Sequence, residues 1–251
     1  MPRFSLPALL LCLLPACSFA NAELTIAVDN NSPPFAYEDA RHQPQGIYVR
    51  LLQAVARQSG LPLHIRAMPW RRALQGLALG QHGVAGLYLN PERQQRYLLS
   101  EPIWQEDVHV FTLPGVPLQV GRTEDLTGSK VGTLAGWYYS DKLQAMQLRG
   151  ELVLETSESD AQNIAKLHAK RLDAILAIRD SVMHLQRRHP RNGTPPPLRD
   201  AGLLLRNPTY LALPFTPGNV AVMDRLNQAI RQLDRAALAA TATPPRSPAA
   251  R

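Results

Sequence analysis

The feature that most constrains the fold is a series of short segments in which apolar residues recur with one of two periods, that of a strand or that of a helix. In the first segment Leu24, Ile26 and Val28 recur at every second position, which is typical of a strand face. In two later segments apolar residues recur every three or four positions, and these segments end at Gly60 and Gly80, which is typical of helices. Strand–helix–strand–helix–strand order favours a parallel sheet with right-handed crossovers. The predicted strands are residues 24–28, 61–68 and 84–89, and the predicted helices are residues 47–59 and 70–79.

A second α/β series follows a predicted strand at residues 108–113 and a Pro/Gly-rich connector at 113–117. One short strand and a long amphipathic helix come last. Residues 192–197 are interpreted as a loop and residues 241–251 as a disordered tail rich in Pro, Ala and Ser. The strands predicted in this part are residues 131–133, 152–154, 173–178 and 210–213, and the helices are residues 139–148, 160–170 (with Asp160 as N-cap), 180–189 and 219–240.

The amino-terminal segment, residues 1–22, has the pattern of a secretory signal peptide. Arg3 is its only charge, an apolar run follows, and small residues precede a cleavage site after Ala22. Both cysteines, Cys12 and Cys17, lie in this segment, so the cleaved chain would have no disulfide and no thiol. Lipidation at Cys17 is the alternative. No later run is apolar enough to span a bilayer, so we expect a periplasmic protein without membrane insertion after cleavage.

The net charge of +7 raises the question of a nucleic-acid partner. Lys and Arg are spread along the chain, and the densest cluster, residues 187–191, is short and lacks aromatic residues. This pattern indicates a solvated loop, and we expect no nucleic-acid partner. A positive surface would also draw anionic solutes toward a cleft.

Motifs of known enzymes are missing from the sequence. It contains no G-x-S-x-G, H-E-x-x-H, G-K-[S/T] or G-x-G-x-x-G pattern, and its seven histidines show no metal-ligand spacing. No pair of acidic residues can be assigned the roles of acid and base. We therefore expect no enzyme, no metal and no cofactor, although catalytic triads can assemble from distant segments.

Loops at the carboxyl ends of the predicted strands are the candidate ligand site, because open α/β sheets bind ligands at that edge. They combine aromatic walls with a few polar groups, which suits a small polar organic molecule, and Arg93 offers a planar fork for a carboxylate. Structural roles are the alternative: Trp70 could pack in the core, and Arg93 could pair with Glu92. The candidates are Asp29, Ser32, Phe35, Trp70, Tyr88, Asn90, Arg93, Gly136, Trp137 and Tyr138.

Four segments carry a resemblance to a known family. They are Pro33-Pro34-Phe35 with Gly46-Ile47, Met68-Pro69-Trp70-Arg71-Arg72-Ala73-Leu74, Asn90-Pro91-Glu92-Arg93 followed by Ser100-Glu101-Pro102, and Leu126-Thr127-Gly128-Ser129-Lys130-Val131-Gly132 with Gly136. The chain resembles the family 3 extracellular solute-binding proteins, the periplasmic receptors of amino-acid-type ABC transporters. The third segment is the most specific, since the family shows T-x-E/K-R followed by F-S-x-P-Y at this spacing. The resemblance covers about residues 23–236.

The resemblance implies a two-lobed α/β fold of the type II periplasmic binding protein kind, with two parallel-type sheets, flanking helices and a two-strand hinge. Lobe 1 would comprise residues 23–110 and 206–240, and lobe 2 residues 111–205. A small polar solute would be captured in the cleft between them and passed to an ABC transporter permease by a monomeric receptor. By the same resemblance, Arg93 would hold the ligand carboxylate and Trp70 would stack on the ligand.

Several positions depart from the family pattern. Gly83 stands where the family usually has Asp, and Asn90 stands where it usually has Thr. Trp137 replaces a small hydroxyl residue that often holds the ligand's carboxylate. Ile178 falls where an Asp often pairs with the ligand's amino group, and Asp180 follows two residues later. These departures leave two ligand classes open, an amino acid or a small carboxylate without an amino group.

Two other functions stay open beside the transport receptor. One is a ligand-sensing module for a membrane signalling partner. The other is a dehydratase-like enzyme on the same fold, which would need a positioned catalytic acid that the sequence does not identify.

Overall fold

The computed structural model describes residues 23–188 and 197–235. Its first part confirms the predicted strand and helix order. Three very short strands, which the sequence did not predict, intervene between the first strand and the first helix. The elements are β1 (Leu24–Asp29), β2 (Asn31–Ser32), β3 (Ala36–Glu38), β4 (Pro44–Gln45), α1 (Ile47–Ser59), β5 (Leu63–Met68), α2 (Trp70–Ala78) and β6 (Gly83–Leu87).

The second part contains the predicted α/β series with further elements around it. A short helix, α3, and a short strand, β7, precede it, and a 3₁₀ turn at Thr123–Leu126 lies before its first strand. The elements are α3 (Pro91–Arg96), β7 (Tyr97–Leu99), β8 (Trp104–Thr112), β9 (Lys130–Leu134), α4 (Asp141–Leu148), β10 (Val153–Ser157), α5 (Asp160–His168), β11 (Ala174–Ile178), α6 (Arg179–Arg188), β12 (Arg199–Pro214) and α7 (Pro217–Arg231).

Nine of these strands form one mixed sheet, in the order β10-β9-β11-β8-β12-β6-β1-β5 with β7 also on β12. The mixed α/β class is confirmed, but the two predicted parallel sheets are joined into one. We call β5, β1, β6 and β7 the first half-sheet, and β10, β9 and β11 the second. Pairing of β1 with β5 and β6, and of β9 with β10 and β11, is parallel. The joining strands β8 and β12 pair antiparallel to their neighbours.

Strand β12 joins the half-sheets because it is 16 residues long. It pairs with β8 over residues 199–209 and then with β6 and β7 over residues 210–214. The prediction of a strand at 210–213 alone was wrong about its length. Register shifts between Asp200 and Gly202 and between Leu203 and Leu205 interrupt the alternation of side chains that reveals a strand in a sequence.

Several helix boundaries also differ from the prediction, and α7 begins two residues earlier than predicted and ends at Arg231. Ser159, not Asp160, is the N-cap of α5, where its hydroxyl accepts a hydrogen bond from the Gln162 amide at 3.3 Å. Ser140 caps α4 in the same way, so that helix begins two residues later than predicted. The predicted lobe boundaries at 110 and 206 fall within β8 and β12 and stay a prediction. The predicted signal peptide, the tail at 241–251 and residues 189–196 lie outside the described residues.

Each half-sheet has apolar cores of its own, which fix the loops at its edge. In the first, Leu51 of α1 and Leu226 of α7 are fully buried in one apolar cluster that also contains Ile26 of β1. In the second, Leu143 of α4 is fully buried with Val131 of β9. Burial of one such side chain contributes about 1.5–3 kcal/mol. Within the described ranges, no helix combines the length and apolar character needed to cross a membrane.

Candidate functional site

A small cavity lies where the carboxyl ends of β1 and β6 face the loop that follows β9. We call this loop, residues 135–140, the Trp137 loop. The cavity has space for about one water molecule, so a larger ligand requires the loop to move. Its walls come from both half-sheets and from β8, and they consist of Asp29, Ser32, Ala36, Tyr48, Trp70, Ala85, Gly86, Glu106 and Trp137.

Trp137 closes this cavity from the side of the second half-sheet. The half-buried indole packs against three separate apolar clusters, two of which belong to the first half-sheet. Its ring meets the Tyr88 ring edge-on at 5.0 Å between centroids, and the Tyr139 ring lies 6.2 Å away. Such edge-on aromatic pairs add about 0.5–1.5 kcal/mol beyond the burial of area. Trp137 therefore holds the two half-sheets together across the cavity.

Gly136 lets the Trp137 loop approach α2 closely. Its φ of +78° lies in the left-handed region, which side chains with a Cβ rarely adopt. A Cβ at this position would lie 2.8 Å from Cδ1 of Leu74 and 3.4 Å from Cδ1 of Trp70. Only glycine fits both the backbone conformation and the space.

Arg93 bridges the two half-sheets through backbone carbonyls. Its Nη1 donates to the Tyr88 carbonyl at 2.6 Å and its Nη2 donates to the Gly136 carbonyl at 2.7 Å. Burial lowers the pKa of the guanidinium from its usual value. The alternative pairing of Arg93 with Glu92 is not found, because Glu92 pairs with Arg96 at 2.7 Å. These two hydrogen bonds use two of the five N–H groups of the guanidinium.

Glu106 is a buried carboxylate in the middle of β8. The hydroxyls of Tyr48 and Tyr88 both donate to it, one to each carboxylate oxygen. The Tyr48 hydroxyl also lies 3.1 Å from Oγ1 of Thr209 in β12. Burial raises the pKa of Glu106 to about 7, the two phenol hydrogen bonds oppose this shift, and the charge of Asp160 adds to it. The carboxyl is therefore poised to change its charge near neutral pH.

Asp29 and Asp160 belong to opposite half-sheets, and the charge of Asp29 acts on Asp160. Burial raises the pKa of Asp29, at the end of β1, to about 6. Burial, and then the charge of Asp29, raise the pKa of Asp160 to about 7. Asp160 is only 5% exposed, and its Oδ1 has no hydrogen-bond partner. Together with Glu106, these groups bring three carboxyls from three elements to one region.

The structure brings some of the predicted site residues together and separates others. Asp29, Ser32, Trp70 and Trp137 line the cavity, while Tyr88, Arg93 and Gly136 support it from behind. The remaining three do not line this cavity, although Phe35 lines a second one beside it. Asn90 caps α3 by accepting from the Arg93 amide at 2.7 Å, Phe35 packs on Tyr48 in the core, and the Tyr138 hydroxyl donates to Asp141. The binding roles of all ten residues stay predictions.

A second, wider cavity lies beside the first, and it holds the two positions noted for the ligand's amino group. Ile178 and Asp180 line it together with Arg179 and Arg206. Glu106 lines both cavities. Asp180 is therefore outside the cavity that Trp137 closes.

Sequence reasoning missed Tyr48, Glu106 and Asp160 as parts of this site. The sequence contains a usable signal for Glu106, because Trp104, Glu106 and Val108 stand at every second position and therefore share one face of β8. An acid on an otherwise apolar strand face indicates a buried polar group with a partner or a function. Asp160 gave no comparable signal, since an acid at a helix start is common.

The sequence profile of the bacterial extracellular solute-binding proteins, family 3, matches residues 24–241, and the chain belongs to this family. The L-cystine-binding protein TcyJ of Escherichia coli (strain K12) is 24% identical over 164 residues, 64% of this chain and 61% of that protein. The chain thus aligns with less than two thirds of that relative's length.

Solved structures share the fold at low sequence identity. A histidine kinase sensor domain with similarity to periplasmic binding proteins superimposes with a TM-score of 0.76 at 19% identity, covering 88% of this chain and 96% of that one. An ancestral arginine-binding protein bound to arginine gives a TM-score of 0.69 at 19% identity, with the same coverage of 88% and 96%. These similarities establish the periplasmic binding protein-like fold.

Proposed function

We propose that the protein captures a small solute of amino-acid type between its two half-sheets and delivers it to an ABC importer. One observation carries this proposal: a single cavity is walled by Asp29 and Trp70 on one side and by Trp137 on the other. A solute at this place touches both half-sheets at once. It would therefore favour the arrangement in which they are close, which is how binding shifts a population of conformers.

Family membership supports the remaining parts of the proposal. The family description is of extracellular binding proteins, which agrees with export to the periplasm and with capture without chemical conversion. Cystine and arginine, in the names of a relative and of a structural neighbour, are both amino acids. Delivery to a permease follows from the transporter class that the family resemblance implies.

A thermal-shift screen tests the proposal. The purified chain is unfolded and refolded to remove carried-over solute, and is then heated with amino acids, small dicarboxylates and amines in turn. A ligand at about 100 times its dissociation constant should add about 2.7 kcal/mol to the free energy of unfolding. One chemical class should raise the melting temperature clearly. If no class shifts it, this proposal is wrong.

The close approach of the Trp137 loop to α2 makes Gly136→Ala a further test. The new methyl group would meet Leu74 and Trp70, so closure around a ligand is hindered and affinity should fall by about tenfold or more, equal to about 1.4 kcal/mol. Gly150→Ala is the matched control, because Gly150 has a similar φ of +71° but no atom within 4 Å of its Cβ position.

Both substitutions should lower the free energy of unfolding by about 1–2 kcal/mol through the left-handed backbone alone. Only Gly136→Ala should also weaken binding, measured by calorimetric titration with the ligand that the screen identifies. Equal affinities of the two variants would show that the loop does not close on the ligand.

A further inference from the structure

An ion pair joins the beginnings of two helices that pack on opposite half-sheets. Arg71 lies in the first turn of α2, which contains no acidic residue. A positive charge is unfavourable at that end of a helix, because the helix dipole is also positive there. Nη1 of Arg71 lies 3.2 Å from Oε1 of Glu158, the second residue before α5. The charge of Arg71 is therefore compensated from the opposite half-sheet rather than within its own helix.

Glu158 is positioned by the start of α5. Its backbone amide donates to Oε1 of Gln162 at 3.1 Å, and the Gln162 amide donates to the hydroxyl of Ser159 at 3.3 Å. Bonds of this kind satisfy backbone amides at a helix start and fix its conformation. The second half-sheet thus presents the Glu158 carboxylate to Arg71 from a fixed backbone.

Arg93 provides a second polar connection between the half-sheets. Its Nη2 donates to the Gly136 carbonyl in the Trp137 loop at 2.7 Å, while its Nη1 donates to the Tyr88 carbonyl at 2.6 Å. The Asn90 side chain fixes the backbone of Arg93 by accepting a hydrogen bond from its amide at 2.7 Å. Hydrogen bonds from a charged donor are about twice as strong as neutral ones. Arg93 therefore ties α3 to the Trp137 loop.

We propose that Arg71, Glu158 and Arg93 form a latch that holds the half-sheets together before a solute binds. This inference rests on the proposed function, because it concerns how the same site opens. Every atom of the latch belongs to the chain itself, so its bonds favour the close arrangement with or without a solute. The three are positioning residues that set how often the half-sheets separate to admit a solute.

The two connections of the latch differ in strength. The side chains of Arg71 and Glu158 are 71% and 55% exposed, and loss of such a pair should raise the open population by about twofold to fivefold. Arg93 is half-buried and donates from a charged group, so loss of its bond to Gly136 should raise the open population by about tenfold or more.

Quenching of tryptophan fluorescence by acrylamide measures opening in the refolded full chain without any ligand. The chain has three tryptophans, and Trp70 and Trp137 line the cavity from opposite half-sheets. Trp104→Phe removes the third, so that the signal comes from the cavity alone. Separation of the half-sheets exposes both indoles and increases quenching. Small-angle X-ray scattering of variants that keep Trp104 gives the radius of gyration as an independent measure.

An exchange of charges makes the test specific to the ion pair. Arg71→Glu and Glu158→Arg should each increase quenching and the radius of gyration. The double variant should return both to the wild-type values, because the pair forms again with reversed charges. Arg72→Glu is the matched control, since it makes the same charge change at the neighbouring exposed residue of α2 and should have no effect. Arg93→Lys keeps the charge but loses the planar fork that holds two carbonyls, so it should open the chain further.

Failure of the latch and failure of the proposed function give different results. The latch is wrong if quenching and the radius of gyration stay unchanged in Arg93→Lys or in both single charge reversals, each shown to be folded by circular dichroism melting. A double exchange that stays as open as the single variants also overturns it. The thermal-shift screen decides the proposed function separately, because a solute class can raise the melting temperature whether or not the latch exists.

Discussion

The Asp160→Asn variant should be more stable than the wild-type protein at pH 8, by on the order of 3 kcal/mol in the free energy of unfolding. The pKa of Asp160 is raised to about 7 by burial and by the charge of Asp29. Above pH 7 the wild-type chain must therefore fold with a buried, ionised carboxylate whose Oδ1 has no hydrogen-bond partner. The amide has nearly the same shape and removes the charge.

The stability difference should disappear at acid pH, and its sign follows from proton linkage. A carboxyl whose pKa is raised on folding binds its proton more tightly in the folded state. Wild-type stability should consequently fall as the pH rises from about 4 to about 7. Asp29 and Glu106, whose pKa values are raised to about 6 and about 7, contribute in the same direction. Tyr139 also feels the charge of Asp160, and its phenol stays neutral over this pH range because burial raises its pKa above the usual value.

Urea unfolding at pH 5, 6, 7 and 8 measures this effect. The gap between Asp160→Asn and wild type should already exceed about 1 kcal/mol at pH 5, should increase to about pH 7, and should change little from pH 7 to pH 8. Asp224→Asn loses the same charge at an exposed position of α7 and should follow the wild type throughout. A variant that is less stable than the wild type at pH 8 would show that Asp160 has a stabilising partner in the folded protein.

The first half-sheet could be predicted from the sequence because its information is local. The longer elements there, β1, α1, β5, α2 and β6, each show their own period of apolar residues, and the parallel order follows from the alternation. Asp29, Trp70 and Trp137 were found for the same reason, since each follows or begins a recognisable element at one edge of the sheet.

Strand β12 and the site roles of Glu106 and Asp160 could not be predicted in the same way. Strand β12 pairs with three strands that are distant in sequence, and its three register shifts hide its period. The contacts of Asp160 with Asp29, and of Glu106 with Tyr48 and Tyr88, depend on how the half-sheets come together. That arrangement is set by tertiary packing, which leaves no pattern within a single segment.

Trp137→Ala should lower the free energy of unfolding by about 3 kcal/mol, because removal of a large aromatic side chain would leave a cavity between the half-sheets. Trp137 contacts three apolar clusters and packs edge-on against Tyr88. Its loss should also enlarge the cavity that it closes and weaken ligand binding. Urea unfolding followed by circular dichroism measures the first effect, and calorimetric titration measures the second.

Two matched variants make the result specific to the position of the ring. Trp137→Phe keeps an aromatic wall and should recover more than half of both effects. Tyr138→Ala changes the adjacent residue, whose hydroxyl bonds to Asp141 at the surface, and should cost less than about 1 kcal/mol. Equal losses in Trp137→Ala and Tyr138→Ala would mean that the loop is stabilised by its own conformation. The closing contact between the half-sheets would then have to come from the Arg93 bridge to Gly136.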